Sequence, residues 1–420
     1  MRCLCLYHPS SEIRCVLSDE LRGKLIALGV SYSSAIYRSI DVARYLLRFC
    51  ADVQTLMTPR AAKAISPQLF HWATGRRPIT RLTGDVEHIA LARQADAMVI
   101  APATLRTVTA IAMGYAVNSV VATAIAMRSQ GKPVVIAPAM HRDLLLSRQA
   151  RESMAKLYDM GYYLLPPIEK DGRVVLPDPY YIARKVVSVS LRGEDLRNLR
   201  IVVTAGATRE FIDDVRFISN PSSGRMGTAI ALEAVFRGAS TTLVAGHLEV
   251  EPPPWVYVER VTSTDEMCRA LMKIVEKRKP HAVIMAAAPA DFKPSERVRG
   301  KIDSRVAELT LKLIPTPKIL RELRRVYNGV VVGFAAEVVE SSEELIEKAR
   351  RKLEEYELDA IVANPVGVPG IGFASPMNEV YICTPDGRVK HAGPALKEVI
   401  AREVVDVVKE LISRRLGISL

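Results

Sequence analysis

The chain has 420 residues, 49% of them apolar and 25% charged, a balance that excludes the disordered class and exceeds what one core ordinarily serves, so two domains of about 200 residues are expected. Its net charge of +12 is spread along the chain instead of gathered in blocks, and 8 Phe, 14 Tyr and 2 Trp offer little surface for stacking bases. Solvated surface is the plain reading of that charge, phosphorylated small molecules come next, and nucleic acid is not expected.

Residues 1–22 read as an extension ahead of the first strand. Over 23–191 the apolar runs Lys24–Val30, Ala51–Met57, Ala97–Ala101 and Lys132–Ala137 read as short buried strands. They alternate with helical patterns at Ala35–Cys50, Thr107–Met127 and Leu144–Met160, the signature of a parallel doubly wound sheet. The stretch Thr107–Met127 carries no acidic or basic residue and is long enough to cross a bilayer, but it is built of small residues around Asn118. A buried helix is expected there, and no membrane. Pro166, Pro167, Pro177 and Pro179 keep 166–179 out of a helix, and it reads as a flap. The polar run 192–198 is a linker. Over 199–420 the alternation resumes, with strands at 199–205, 240–245, 282–287, 330–335 and 359–363 and helices at 225–238, 264–278 and 341–355. The fold class is α/β, two doubly wound Rossmann-like domains.

The six cysteines (Cys3, Cys5, Cys15, Cys50, Cys268, Cys383) lack Cys-x-x-Cys pairing, which argues against zinc and suits a reducing cytoplasm. The N-terminus has no leader layout. Five Gln and six Asn fit a heat-adapted source.

Three turns at strand ends in the first half form the crevice where such sheets bind ligands. They are Ser31-Tyr-Ser-Ser34, Ala101-Pro-Ala-Thr104-Leu-Arg106-Thr107, and Ala137-Pro-Ala-Met140-His141. Hydroxyl residues at such a turn hold phosphate or simply cap the helix. In the second half a strand ends in Gly206-Ala-Thr-Arg209, and Asn220-Pro-Ser-Ser223-Gly224-Arg225 then opens a small-residue helix. This arrangement presents free N–H groups to anionic oxygens, with spacing unlike Gly-x-Gly-x-x-Gly or the Walker loop.

The segment 214–228 closely resembles the ligase half of the bifunctional phosphopantothenoylcysteine decarboxylase/phosphopantothenate–cysteine ligases of coenzyme A biosynthesis. The three turns of the first half resemble the flavin-containing cysteine decarboxylases, so the resemblance implies a flavodoxin-like domain with FMN. Ser31, Ser34, Ala101, Thr104, Arg106 and Thr107 would hold FMN, and Met140 would lie by its ring. His88 occupies the place of the family's active-site histidine. His141 stands where the family has an Asn that orients the substrate carboxylate, and Asn118 falls in a substrate motif that here reads Val117-Asn118-Ser119. Residues 151–190 contain no cysteine, whereas bacterial relatives place one on the flap as proton donor. Lys170, Asp171, Tyr180 or Tyr181 would replace it, or the reduction differs.

For the ligase the same resemblance implies an acyl-nucleotide made from CTP with Mg2+, with CTP carried by resemblance alone since animal relatives use ATP. It places Ala286, Ala287, Asp291, Lys301, Pro317, Lys318, Ile319, Leu320, Phe334 and Lys352 at the nucleotide. Asn220 would stabilise the acyl-cytidylate, Lys301 would press against the triphosphate or the acyl-phosphate oxygen, and Ser223, Gly224 and Arg225 would meet the phosphorylated substrate. The implied partners are 4'-phosphopantothenate, cysteine, CTP and further copies of the chain. Two other readings stay open: a ligase with a degenerate flavin domain, and a flavoprotein-like interaction subunit.

Overall fold

The computed structural model describes residues 8–170, 173–304, 308–372 and 375–418. Between Gly193 and Glu194 the chain divides into two compact units.

The first unit runs β1 (Leu25–Val30), α1 (Arg38–Arg48), β2 (Asp52–Met57), α2 (Pro59–Ala64), α3 (Pro67–Thr74), α4 (Glu87–Gln94), β3 (Ala97–Ala103) and α5 (Leu105–Ala112). There follow α6 (Ser119–Ser129), β4 (Val134–Pro138), α7 (Arg142–Leu145), α8 (Arg148–Asp159), β5 (Tyr163–Leu164), β6 (Ile168–Lys170), β7 (Arg173–Val175) and α9 (Pro179–Arg192). Its sheet has the order β2-β1-β3-β4-β5, parallel throughout. A parallel sheet covered on both faces needs continuous apolar strands, and β3 and β4 are buried at every position.

Several expectations are corrected here. The single helix expected over Thr107–Met127 is two: α5 ends before Gly114, which adopts φ +70°, and Asn118 starts α6 by accepting the N–H of Val121. Chain reversal at Gly114 and a new cap at Asn118 outweigh the uninterrupted apolar composition. No helix among the described residues is long and apolar enough to cross a membrane. The Leu144–Met160 pattern is likewise divided by the Ser147 cap, and Ala35–Cys50 opens as a short 3-10 turn before α1. Residues 8–22 are no free extension. Leu21 is fully buried, its N–H donates to the Phe49 carbonyl, and Cys15 forms a disulfide with Cys50. Spacing along the chain gave no hint of this pairing, because the partners are 35 residues apart and only the fold brings their Cα atoms to 4.2 Å. The flap contains an antiparallel hairpin, β6 with β7; Asp171 lies outside the described residues.

The second unit begins β8 (Arg200–Ala205), β9 (Arg209–Phe211), β10 (Phe217–Ser219), α10 (Arg225–Phe236), β11 (Ser240–Ala245), β12 (Tyr257–Arg260), α11 (Thr264–Arg278), β13 (Ala282–Met285) and β14 (Phe292–Pro294). It continues β15 (Leu313–Pro315), α12 (Ile319–Val326), β16 (Val330–Glu337), α13 (Ser342–Glu355), β17 (Ala360–Pro365), β18 (Met377–Cys383), β19 (Val389–Leu396) and α14 (Lys397–Leu416). The large sheet has the order β12-β11-β8-β13-β16-β17-β18-β19, parallel up to β17 and antiparallel beyond it. Strand β8 lies between β11 and β13, so the order reverses beside it and a crevice opens outside its carboxyl end. Helix α10 reaches that crevice because Gly227 lets it close on the strand: a Cβ there would lie 2.6 Å from the Thr204 carbonyl oxygen.

Candidate functional site

In the first unit, Ser31 donates its hydroxyl to the Pro102 carbonyl (2.7 Å) and accepts the N–H of Thr104 (3.1 Å). This latch joins the carboxyl ends of β1 and β3. It also occupies Ser31, which is buried and does not line the neighbouring cavity. That cavity, of about 910 Å³, is bounded by Ser34, Arg38, Met140, His141, Lys170 and Leu176, among others. Of the three turns the sequence placed at one crevice, those after β1 and β4 meet at this cavity, together with the β6–β7 hairpin. The turn after β3 is joined to the β1 turn by the latch but does not line the cavity. Ala101 and Thr107 are buried, the Thr104 and Thr107 hydroxyls lie 3.3 Å from each other, Arg106 is exposed, and none lines this cavity.

His88 stands in the first turn of α4, away from the cavity wall, with a buried Nδ1 that has no hydrogen-bond partner. Asn118 is committed to the cap of α6. His141 caps α7, its Nδ1 accepting the Asp143 N–H at 3.3 Å, and it stays exposed beside the Asp143 carboxylate. A hydroxyl-bearing turn with Arg38 at one side, and Met140, Val174, Val175 and Leu176 at the other, suits a group with an anionic tail and a flat ring.

In the second unit two cavities of about 390 and 280 Å³ share Ala287, Pro289, Asp291, Phe334 and Lys352, and so form one trench. The smaller is walled by Thr316, Pro317, Lys318, Ile319, Leu320 and Tyr356. Its dimensions and aliphatic and aromatic walls suit a ring. The larger is lined by Asn220 to Met226 at the start of α10, by Ala286 to Pro289 after β13, and by Asn364, Asn378 and Lys397. Gly224 takes φ +76° as the residue before α10, the left-handed turn that aims the helix N-terminus into the cavity. Lys318 donates to Asp291 at 2.6 Å, and that hydrogen bond raises the lysine above its ordinary pKa. Lys352 pairs with Glu337.

Asn220 is expected from the resemblance to stabilise the acyl-cytidylate, and it lines the larger cavity. In the structure its amide nitrogen donates to the carbonyls of Ala288 (3.3 Å) and Pro289 (3.0 Å), which orients the side chain and ties the two loops of the cavity together. Lys301 lines neither cavity. Its neighbours are held elsewhere: the Gly300 N–H donates to Asp214 and the Ile302 N–H to Asp213. Asp213 also accepts from Arg216 and Val215, and these N–H groups, that of Arg216 foremost, hold its carboxyl down at about 2. The sequence reading missed Lys397 and Asn378 altogether. The one available signal was a lysine at the first position of a long helix, where the macrodipole disfavours a cation.

Residues 16–190 match the flavoprotein family model, and residues 196–412 match that of the DNA/pantothenate metabolism flavoprotein C-terminal domain. The chain is 35% identical to the coenzyme A biosynthesis bifunctional protein CoaBC of Thermococcus kodakarensis over 97% of its own length and all of that protein. It belongs to the coenzyme A biosynthesis bifunctional protein family. A second member, from Methanocaldococcus jannaschii, is 32% identical across 97% of this chain and 98% of its own. Among solved structures, the C-terminal domain of a CoaBC protein covers 53% of this chain and 99% of that domain at 32% identity, with a TM-score of 0.44. The family's two matched segments fall one on each compact unit, so each unit carries one of the two sites described above.

Proposed function

We propose that the second unit joins cysteine to 4'-phosphopantothenate at the expense of CTP, and that the first decarboxylates the product, phosphopantothenoylcysteine, to 4'-phosphopantetheine. The observation that carries the ligase reading is the continuous trench with a ring-sized end at Thr316–Leu320 and an anion-suited end at the start of α10. A substrate carboxylate oxygen attacks the α-phosphorus and pyrophosphate leaves. The cysteine amine then attacks the acyl carbon and CMP leaves. Asp291 and Lys318 flank the nucleotide, Phe334 covers it, and Asn220 fixes the loop geometry at the reacting carboxyl. Lys301 acts only if its segment moves toward the trench. Magnesium would travel with the triphosphate, bound chiefly by its phosphate oxygens.

For the first unit, Ser34, Arg38 and Met140 fit FMN, which when bound supplies the hydride acceptor that makes decarboxylation feasible. The Ser31 latch sets the spacing of the turns and His141 orients the substrate carboxylate, while His88, which does not line that cavity, takes the substrate thiol proton only where a further copy of the chain brings substrate to it. Lys170 is the best placed of the expected proton donors, being on the cavity wall; Tyr180 packs on Tyr45 and Phe49, and neither it nor Tyr181 lines that cavity. The absence of cysteine from 151–190 favours a second reading, a working ligase beside an inactive flavin domain.

A cytoplasmic location accommodates the Cys15–Cys50 bridge in a heat-adapted organism, where intracellular disulfides persist. Self-assembly is supported by exposed Phe217, Phe292 and Leu313 on the short ribbons of the second unit. Pyrophosphate release that requires CTP, phosphopantothenate and cysteine together tests the ligase; no release with any triphosphate refutes it. Carbon dioxide release by yellow, flavin-bearing protein tests the first unit, and yellow protein that releases none establishes the second reading.

A further inference from the structure

The larger ligase cavity has an inner wall that the family reading does not use. Lys397 and Asn378 both line it, and each is only 4% exposed. The Lys397 ammonium donates to the carbonyls of Gly372 (2.7 Å) and Ser375 (2.6 Å). The oxygen of the Asn378 amide is buried without a partner, and its nitrogen meets only the Met226 sulfur at 4.0 Å. Nothing strong therefore fixes which end of that amide faces the cavity.

The cation is badly placed by the charges around it. It sits at the first residue of α14, at the positive end of a 20-residue helix, and Arg225 lines the same cavity. Burial, followed by the charge of Arg225, pushes Lys397 down to about 8, with only Glu398 opposing. Carbonyl acceptors do not require a charged donor, and a neutral side chain or water would satisfy them at lower desolvation cost. An anion in the cavity reconciles these features: it compensates the lysine, Arg225 and the amino end of α10 together, and gives the Asn378 amide a partner.

We propose that Lys397 and Asn378 are substrate-binding residues that grip a phosphoryl group at the inner end of the ligase trench. This rests on the ligase reading and deepens it. Two substrates carry such a group, the nucleotide triphosphate and the phosphomonoester of 4'-phosphopantothenate.

The test compares wild type with Lys397→Met and Asn378→Asp in the full-length protein. The KM of each phosphorylated substrate is measured with that of cysteine, and inorganic pyrophosphate and inorganic phosphate are titrated calorimetrically. Loss of a charge-assisted hydrogen bond predicts a rise of about ten- to a hundredfold in one phosphorylated substrate's KM, with that of cysteine unchanged. A rise confined to the triphosphate, with weakened pyrophosphate binding, assigns the wall to the nucleotide; a rise confined to phosphopantothenate assigns it to the phosphomonoester. Wild-type affinity for the anion, relative to Lys397→Met, should fall as pH rises past about 8, a readout that a loop tie alone would not move. Unchanged KM values and anion affinities in Asn378→Asp and in folded Lys397→Met overturn the proposal. If Lys397→Met does not fold, Asn378→Asp alone decides. Should wild type make no pyrophosphate with any triphosphate, the ligase reading fails instead, while the calorimetric arm still decides whether the wall binds an anion.

Discussion

Replacing Gly227 by alanine probes how the anion end of the trench is built. The added Cβ would lie 2.6 Å from the Thr204 carbonyl oxygen, 2.7 Å from the Ala205 Cβ and 3.0 Å from the Ala205 Cα. These are atoms of the central strand β8 and cannot swing aside. Carbon contacts settle near about 3.5–4.0 Å, so α10 must withdraw by roughly 1 Å. Overpacking of this kind costs about 1–3 kcal/mol, and relief of the glycine's helix penalty returns about 1 kcal/mol, leaving a net loss near 0–2 kcal/mol. The functional loss is larger than the stability loss, because α10 carries Arg225 and Met226 on the cavity wall and a 1 Å misplacement at a reacting site costs about a hundredfold. The expected variant is folded, melts slightly below wild type, and releases pyrophosphate with kcat/KM down by about two orders of magnitude. The first unit has its own core and serves as internal control, with flavin content unchanged. Activity within about twofold of wild type would show that the close approach of α10 to β8 does not set the site, and the reasoning would fail.

Arg237 is fully buried and bridges Asp195 and Asp406 at 2.7 and 2.6 Å, so Arg237→Met removes the cation that two partly buried carboxylates share, Asp195 keeping Lys409 at 2.9 Å, and should cost about 3 kcal/mol in denaturant unfolding of the second unit; a loss under about 1 kcal/mol would contradict this. The Cys15–Cys50 bridge closes a 35-residue separation, which the chain-entropy relation converts to about 3–4 kcal/mol, so Cys50→Ser or a reductant should lower the melting point of the first unit by about 8–15 °C; an unchanged melt would argue against the bridge. Asp213 has its carboxyl held down at about 2 by backbone N–H donors, against about 3.9 in the unfolded chain. Its stabilisation is therefore complete above about pH 4 and is lost as pH falls through about 2. Acid titration of wild type against Asp213→Asn should show a gap in stability at pH 5 that closes near pH 2, and a gap independent of pH would refute the assignment.

Strand positions in both halves were legible because buried parallel strands leave continuous apolar runs, and β1, β2, β8, β11 and β13 fall within about two residues of where those runs lie. What escaped was set by events that composition does not record. Gly114 and Asn118 split one apolar stretch into α5 and α6, and Cys15 meets Cys50 only after α1 folds back. The hairpin β6–β7 and the ribbons β9–β10 and β14–β15 have three residues per strand, too few for a period to show. At the sites the same division holds. The start of α10 and the loop after β13 were readable because an apolar strand stands ahead of each in the local sequence, whereas the loop after β15 was found only by its resemblance to the family's. Lys397 and Asn378 were not readable, since they reach the trench from the antiparallel edge added beyond β17, roughly 150–170 positions after α10 begins.

That edge also explains why the two units, built on one strand-and-helix logic, end with different cavities. In the first, the parallel sheet stops at β5, and the cavity is closed by a hairpin that supplies Lys170. In the second, β18 and β19 extend the sheet beyond β17, and β18 and the start of α14 bring an amide and a buried cation to the wall of the trench. A hairpin suits a cavity that must admit and release a bulky ring, because few contacts hold it down. A wall made from a helix start and a hydrogen-bonded antiparallel strand has its backbone fixed, and charges held in place before the ligand arrives are what the anion site proposed above requires.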